Sequence, residues 1–348
     1  MTRPRSLHVS IIIPCRNEAK GIRSCLESVV KSEYPKDQLE LLVVDGRSDD
    51  TTRDIVAEFS GRYSWIRLLD NARRMTPAAL NIGIQSANGN ILIRMDAHTV
   101  YPADYVPKLV EWLERSGADN VGGVCITQPA NNTPKAKAIA LGLSHPWGVG
   151  NSHFRIGVTA PKWVDHVPFG CYRREVFERI GLFDERLIRN QDDELNHRLI
   201  KHGGRILLVP EIVSYYTARD SLRKLWVMYY QYGYYKPLAV RMLGTVVTMR
   251  QLVPSAFVMG LTLTATLAPW SSLMALLCGM VAAAYILVDF SIGSSVAVKK
   301  GVRCGLWSTI VFPILHISYG IGYLRGVLDF LILRKQEASD PFALQLSR

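Results

Sequence analysis

Between residues 252 and 293 the chain has no lysine, no arginine and a single acid, Asp289. That absence excludes the surface of a soluble domain. Segments 252–272 and 273–293 are each about 20 apolar residues, enough to cross roughly 30 Å of hydrocarbon as helices. The six cysteines (Cys15, Cys25, Cys125, Cys171, Cys278 and Cys304) show no C-x-x-C spacing, which argues against a zinc site or a disulfide framework and for reduced thiols. The apolar run 9–13 is too short for a signal-peptide core and ends at Pro14, so the first domain is expected to stay in the cytoplasm. No basic run with interleaved aromatics occurs in the soluble part, so no nucleic-acid partner is expected.

What is present divides unevenly. The 348 residues carry a net charge of +11, which suits an anionic partner such as phosphates or an acidic membrane surface. The length accommodates two domains. In the first, short β-branched runs alternate with helical spacing. Strands are expected at 8–14, 39–45, 66–69, 90–96, 120–124 and 205–209. Helices are expected at 19–31, 51–60, 76–87, 173–180 and 192–202. Strands alternating with helices predict a mostly parallel, Rossmann-like α/β sheet with helices on both faces. Segment 126–165, with Pro129, Pro134, Pro146 and Pro161, is too long for a structureless loop and contains function or short elements the pattern does not place.

Residues 219–250 mix Tyr, Trp, Met and Leu with Arg223, Lys224, Lys236, Arg241 and Arg250. That composition suits amphipathic helices in a headgroup layer, with Gly233 and Pro237 expected to break them in two. A core helix of the soluble domain is the plainer alternative. The transmembrane region is expected over 251–330, with a tail over 331–348. Lys299, Lys300 and Arg303 follow the second span, so basic residues flank the hairpin on the side of the first domain. A third stretch, 305–324, is interrupted by Pro313 and His316. If it spans, Arg334 and Lys335 lie outside, against the charge rule; a re-entrant or interfacial segment avoids the conflict.

Chemistry concentrates at strand ends. In Arg94-Met-Asp-Ala-His-Thr99, Asp96 and His98 point the same way along extended chain and form a candidate metal pair against phosphate oxygens. Glu18, Asp45 and the run Arg189-Asn-Gln-Asp-Asp-Glu194 also follow strands or open helices, and the carboxyl edge of such a sheet is where ligands bind. Taken singly, each also reads as a turn or helix cap.

Together these segments resemble a known family. Val9-Ser-Ile-Ile-Ile-Pro-Cys-Arg-Asn-Glu18, Val43-Val-Asp-Gly-Arg-Ser-Asp-Asp-Thr51, Asn81-Ile-Gly83, Asp96-Ala-His98, Phe169-Gly-Cys-Tyr-Arg-Arg-Glu175, Gly181-Leu-Phe-Asp-Glu185 and Gln191-Asp-Asp-Glu-Leu195 match, in order, the pattern of family two inverting glycosyltransferases. The similarity is greatest to the membrane glucosyltransferases of ExoA-type succinoglycan biosynthesis and covers residues 8 to about 210. It implies a GT-A catalytic domain over 1–218, a UDP-sugar donor and a divalent cation, Mg²⁺ or Mn²⁺. Pro14 and Glu18 would edge the nucleoside pocket, Asp45 would bind the base, and Arg73, Arg74, Asn81 and Asp96 would line the donor site. Asp192 would be the base, doubling as a helix cap. Phe169, Gly170, Asp193, Arg219, Arg223 and Lys224 would face the acceptor. The chain departs from the family in having Leu80 where an Arg is usual, His98 at the end of D-x-D, and Gln191 in the place of Glu.

An enzyme of this kind on the inner face of the cytoplasmic membrane is expected to use a polyprenyl-diphosphate-linked acceptor in exopolysaccharide or cell-surface glycan synthesis. The alternatives are a polyprenyl-monophosphate glycosyltransferase, which needs no base, a processive synthase, and a non-catalytic nucleotide-binding membrane scaffold.

Overall fold

The computed structural model describes residues 8–244, 249–338 and 340–344. The chain runs β1 Val9–Cys15, α1 Ile22–Val30, β2 Leu39–Asp45, α2 Thr52–Arg62, β3 Ile66–Asp70, α3 Thr76–Ser86, β4 Ile91–Arg94, β5 Thr99–Val100 and α4 Tyr105–Ser116. There follow β6 Asn120–Gln128, α5 Pro134–Gly142, α6 Pro146–Val149, α7 His153–Ile156, β7 Lys162–Trp163, β8 Cys171–Arg173, α8 Arg174–Ile180, α9 Gln191–Lys201 and β9 Ile206–Thr217. The last helices are α10 Leu222–Leu243, α11 Val253–Leu267, α12 Ser272–Lys300, α13 Val302–Gly326 and α14 Pro341–Leu344. The described residues form two compact units, one of 1–126 with 153–217, the other of 127–152 with 218–348.

In the first unit the sheet order is β3-β2-β1-β4-β8-β6-β9-β5, with β7 on β9. The parallel part is β3-β2-β1-β4. There the sequence pattern and the structure agree, because each strand is followed by a helix that returns the chain. The other half is mixed. β8 inserts antiparallel between β4 and β6, and β5 and β7 run antiparallel to β9. Expecting a mostly parallel sheet missed this, since the irregular stretch after Gln128 carries no periodicity to reveal the reversal. Ile11, Ile13, Leu41, Leu42 and Ile93 are fully buried in the sheet, each burial contributing about 1.5–3 kcal/mol. Pairing of Cys15 with Asp45 and of Ile12 with Arg94 brings three strand ends to one edge.

The second unit holds α5 and α6 with the C-terminal helices. Among the described residues three helices are long and apolar enough to cross a membrane: Val253–Trp270, Ser272–Lys300 and Val302–Ile332. α10 is one unbroken helix, contrary to the expected break. Gly233 serves close packing instead: a Cβ there would lie 2.1 Å from the Tyr319 carbonyl oxygen on α13. Gly322 and Gly326 approach the carbonyls of Tyr230 and Tyr234 as closely, small residues again letting two helix backbones come together. α13 also continues through Pro313, as membrane helices tolerate. The parts of the expected interfacial and tail segments at 245–248 and 345–348 lie outside the described residues.

Gly233→Ala should lower the melting temperature of the detergent-purified protein, since overpacking costs about 1–3 kcal/mol. Gly260→Ala should not, because nothing lies within 4 Å of its missing Cβ. Equal melting points for the two variants would contradict the α10–α13 packing.

Candidate active site

Arg94 ends β4 and Asp96 follows two residues on; a turn at Ala97 and His98, closed by Thr99 N on the Asp96 carbonyl at 3.3 Å, rather than strand alternation, brings His98 beside them. They continue into a row. Glu18 Oε1 lies 3.2 Å from His98 Nδ1, and His98 Nε2 lies 3.8 Å from Asp96 Oδ2. Arg94 donates from Nη2 to Asp96 Oδ1 at 3.2 Å and from Nη1 to Asp192 Oδ2 at 3.0 Å. The row thus runs from the turn after β1 to the first turn of α9. Arg94 is the residue that links its two ends, and it was not singled out from the sequence. Alternation at the strand end sets Arg94 beside Asp96, two residues later.

The electrostatics follow from this pairing. Burial opposes the Arg94 charge, but Asp96 and Asp192 outweigh it and push the guanidinium further above its already high pKa. Burial likewise opposes charge on Asp192, yet Arg94 and then His166 outweigh it and hold the carboxyl below the usual carboxylate range. With its folded pKa depressed, the ionised Asp192 stabilises the fold above the ordinary carboxylate range, and this is lost as pH falls through the lowered value. Asp192 is therefore charged at neutral pH and in mild acid.

Around the start of α9 lies a second group missed from the sequence. His166 Nε2 is 3.9 Å from Asp192 Oδ2, and its Nδ1 is 3.9 Å from Asp193 Oδ1. His197 Nε2 is 3.7 Å from Asp193 Oδ1. The buried Asn196 accepts at Oδ1 from Asn120 Nδ2 and the Tyr172 hydroxyl, and its Nδ2 faces His166 Nδ1 at 3.0 Å. The signal was adjacency: His166 directly precedes the Val167-Pro-Phe-Gly run.

The other expected residues fall into three groups. Pro14 is half-buried at the end of β1, with Asp45 beside it on β2. Asp45 is fully buried and accepts from Ser48 N at 3.0 Å, the Ser48 hydroxyl, Arg53 Nη1 at 2.7 Å and the Cys15 thiol at 3.7 Å. Arg73 and Arg74 are exposed, Arg73 paired with Glu185. Asn81 is buried and clamps Phe183 through its carbonyl and amide groups, with Glu185 accepting at 3.0 Å. Phe169 lies under the Arg94 guanidinium, 5.9 Å from carbon to ring centroid. A Cβ on Gly170 would meet Asn120 Oδ1 at 2.4 Å. Arg219, Arg223 and Lys224 belong to the other unit. There Arg219 is buried, Arg223 is exposed, and Lys224 pairs with Asp220 at 3.3 Å.

Backbone strain marks the same edge. Asn17, Arg47, Arg74, Phe169 and Asn190 all have positive φ, a conformation costly for residues with side chains and concentrated at functional sites.

For a divalent cation the donor set is small but suitable. Among the described residues no cluster of three or more His, Cys, Asp and Glu forms a metal site. Asp96 Oδ2 and His98 Nε2 nevertheless lie 3.8 Å apart, within the span of two ligands each about 2.1 Å from one ion. Glu18 on His98 Nδ1 turns Nε2 toward Asp96, the carboxylate–histidine arrangement that orients metal-binding imidazoles.

Comparison with known proteins agrees with this architecture. The model of glycosyl transferase family 2 matches residues 10–181, stopping before Asp192. The succinoglycan biosynthesis protein ExoA of Rhizobium meliloti is 31% identical over 324 residues, covering 92% of this chain and 95% of that protein. A dolichyl N-acetyl-alpha-D-glucosaminyl phosphate 3-beta-D-2,3-diacetamido-2,3-dideoxy-beta-D-glucuronosyltransferase of Methanococcus voltae is 32% identical, covering 67% of this chain and 74% of its own. Among solved structures, the mannosyltransferase PcManGT of Pyrobaculum calidifontis, in complex with GDP-Man and Mn²⁺, superposes with a TM-score of 0.63 at 21% identity over 93% of this chain and 88% of its own. On a GT-A fold, and with a relative of this identity matched over nearly its whole length, the chain belongs to glycosyl transferase family 2.

Proposed function

We propose that the chain transfers one sugar, glucose by its resemblance, with inversion from a UDP-sugar to a polyprenyl-diphosphate-linked acceptor at the cytoplasmic face of a membrane. The observation that carries this is the row Glu18–His98–Asp96–Arg94–Asp192. It joins the residues suited to the donor diphosphate to the carboxylate suited to the acceptor hydroxyl. Inversion requires a base on the face opposite the leaving group. Asp192 takes the proton as the acceptor oxygen bonds to the sugar carbon and the diphosphate leaves with the bonding pair. A carboxylate held this acidic is a weak base, so its contribution rests on position, typically about 10²–10⁴-fold. Asp96 and His98 would hold a divalent cation, which would supply charge neutralisation at the leaving diphosphate.

On the donor side, Asp45 acts on the nucleoside through the turn it holds at Ser48 and through Arg53. Asn81 and Glu185 position Arg73 for the donor. One relative's part in succinoglycan biosynthesis and the other's transfer to a dolichyl phosphate-linked sugar support a membrane-borne acceptor, whose diphosphate Arg219, Arg223 and Lys224 would meet.

Asp96→Ala should abolish transfer without unfolding, and excess EDTA should do the same to the wild type. His98→Asp should retain activity, since it restores a hard oxygen ligand. Full transfer in EDTA would remove the cation from the mechanism.

Asp45→Ala should raise the donor KM more than it lowers kcat, because nucleoside contacts are made equally in ground and transition states. A collapsed kcat at unchanged KM would place Asp45 in the chemistry.

Asp192→Asn should lower kcat by on the order of 10²-fold with donor binding nearly unchanged. Asp193→Asn, held between two imidazoles and off the Arg94 pair, should lose less than about tenfold. If Asp193→Asn is the inactive variant, the base is Asp193. If neither is impaired, the acceptor supplies its own anion, as a lipid monophosphate does.

A further inference from the structure

We infer that α13 does not cross the bilayer: its second half lies along the membrane surface beside α10, and among the described residues α11 and α12 are the only spans. α12 and α13 form an antiparallel hairpin only over part of their length. A Cβ on Gly305 would press on Ala297, one on Gly293 would press on Thr309, and the Tyr285 hydroxyl meets His316 Nδ1 at 2.8 Å. Past that level α12 has no such neighbour. No residue from Ser272 to Ala284 is buried, and a Cβ on Gly279 would meet nothing within 4 Å. α13 therefore leaves the hairpin near His316, just after Pro313.

Beyond this point α13 follows α10 in the same direction. Tyr319 packs at Gly233, Gly322 at Tyr230 and Gly326 at Tyr234, and Arg241 donates to the Phe330 carbonyl at 3.1 Å. α10 is not a lipid-facing helix, since none of its residues from Leu225 to Leu243 is exposed, Gln231 and Lys236 included. The end of the pair is ionic. Asp329 is fully buried, with the Tyr234 hydroxyl at 2.8 Å, Lys335 Nζ at 2.9 Å and Arg325 Nε at 3.3 Å. Asp340 takes the Tyr230 hydroxyl at 2.9 Å and lies 3.5 Å from Arg325.

Were α13 to cross, α10 would cross with it. Lys236, Arg241 and the Asp329 cluster would enter hydrocarbon, where such groups are rare and costly. Arg334 and Lys335 would emerge on the far side, against the distribution of basic residues that sets orientation. Lying in the surface removes both conflicts. The outward residues of the α13 end, Ile321, Leu328, Leu331 and Ile332, are exposed and apolar. They suit the boundary between headgroups and acyl chains.

The test is the sidedness of the two termini in the full-length protein. A fluorescent protein that folds only in the cytoplasm and an alkaline phosphatase active only after export, fused in turn to each end, should report one compartment for both. Independently, Leu333→Cys, at an exposed position, should react with a membrane-impermeant maleimide from the face on which the N-terminus lies. Termini on opposite faces, with Leu333→Cys labelled from the other side, would overturn the inference and leave α13 as a third span. Neither outcome depends on which sugar the enzyme transfers.

Discussion

The arrangement of the site depends on one guanidinium held between two carboxylates. Arg94 is nearly buried, and its charge is tolerated because Asp96 and Asp192 lie on either side at hydrogen-bond distance. Each acid offsets part of the cost of holding that charge largely out of water, and either one alone leaves the guanidinium partly compensated. The pair also ties the end of β4 to the start of α9, two elements far apart in sequence. Phe169 beneath the guanidinium and the Gly170 carbonyl, which accepts from the Arg94 amide at 3.0 Å, complete its seat. The residues at the end of β4 and at the start of α9 are thus joined by a single side chain.

Much of this was legible in the chain. The β-branched runs announced β1, β2 and β4, and the strand-end acids announced the edge where they meet. Asp96, His98 and Glu18 converge because parallel strands in register deliver their ends together. What was not legible depends on contacts between distant segments. Asp45 looked like a ligand-facing acid, yet it is sealed by Ser48, Arg53 and Cys15, and no local pattern shows which way a turn acid folds. Asn81 looked like a donor contact, but its partner Phe183 is 102 residues away. The antiparallel half of the sheet was hidden because β7 and β8 are only two and three residues long, too short to show a period.

The helical half shows the same division. Hydropathy found the apolar stretches, since composition alone decides which segments tolerate lipid. It could not distinguish a helix that faces lipid all round from one that leaves its hairpin to pack on α10. Gly233 read as a breaker because glycine weakens isolated helices; here it permits two backbones to approach, which depends on the partner helix rather than on its own neighbours.

The central claim is that Arg94 bridges the two acids, and the most direct measurement of it is single-turnover transfer by Arg94→Lys with labelled donor and the lipid acceptor. A lysine keeps the charge but lacks the planar fork that reaches both carboxylates. The rate is expected to fall by on the order of 10²-fold, as loss of placement of one catalytic group does, while the protein stays folded. Transfer at the wild-type rate would show that the charge alone suffices and that Arg94 does not set the geometry of the site.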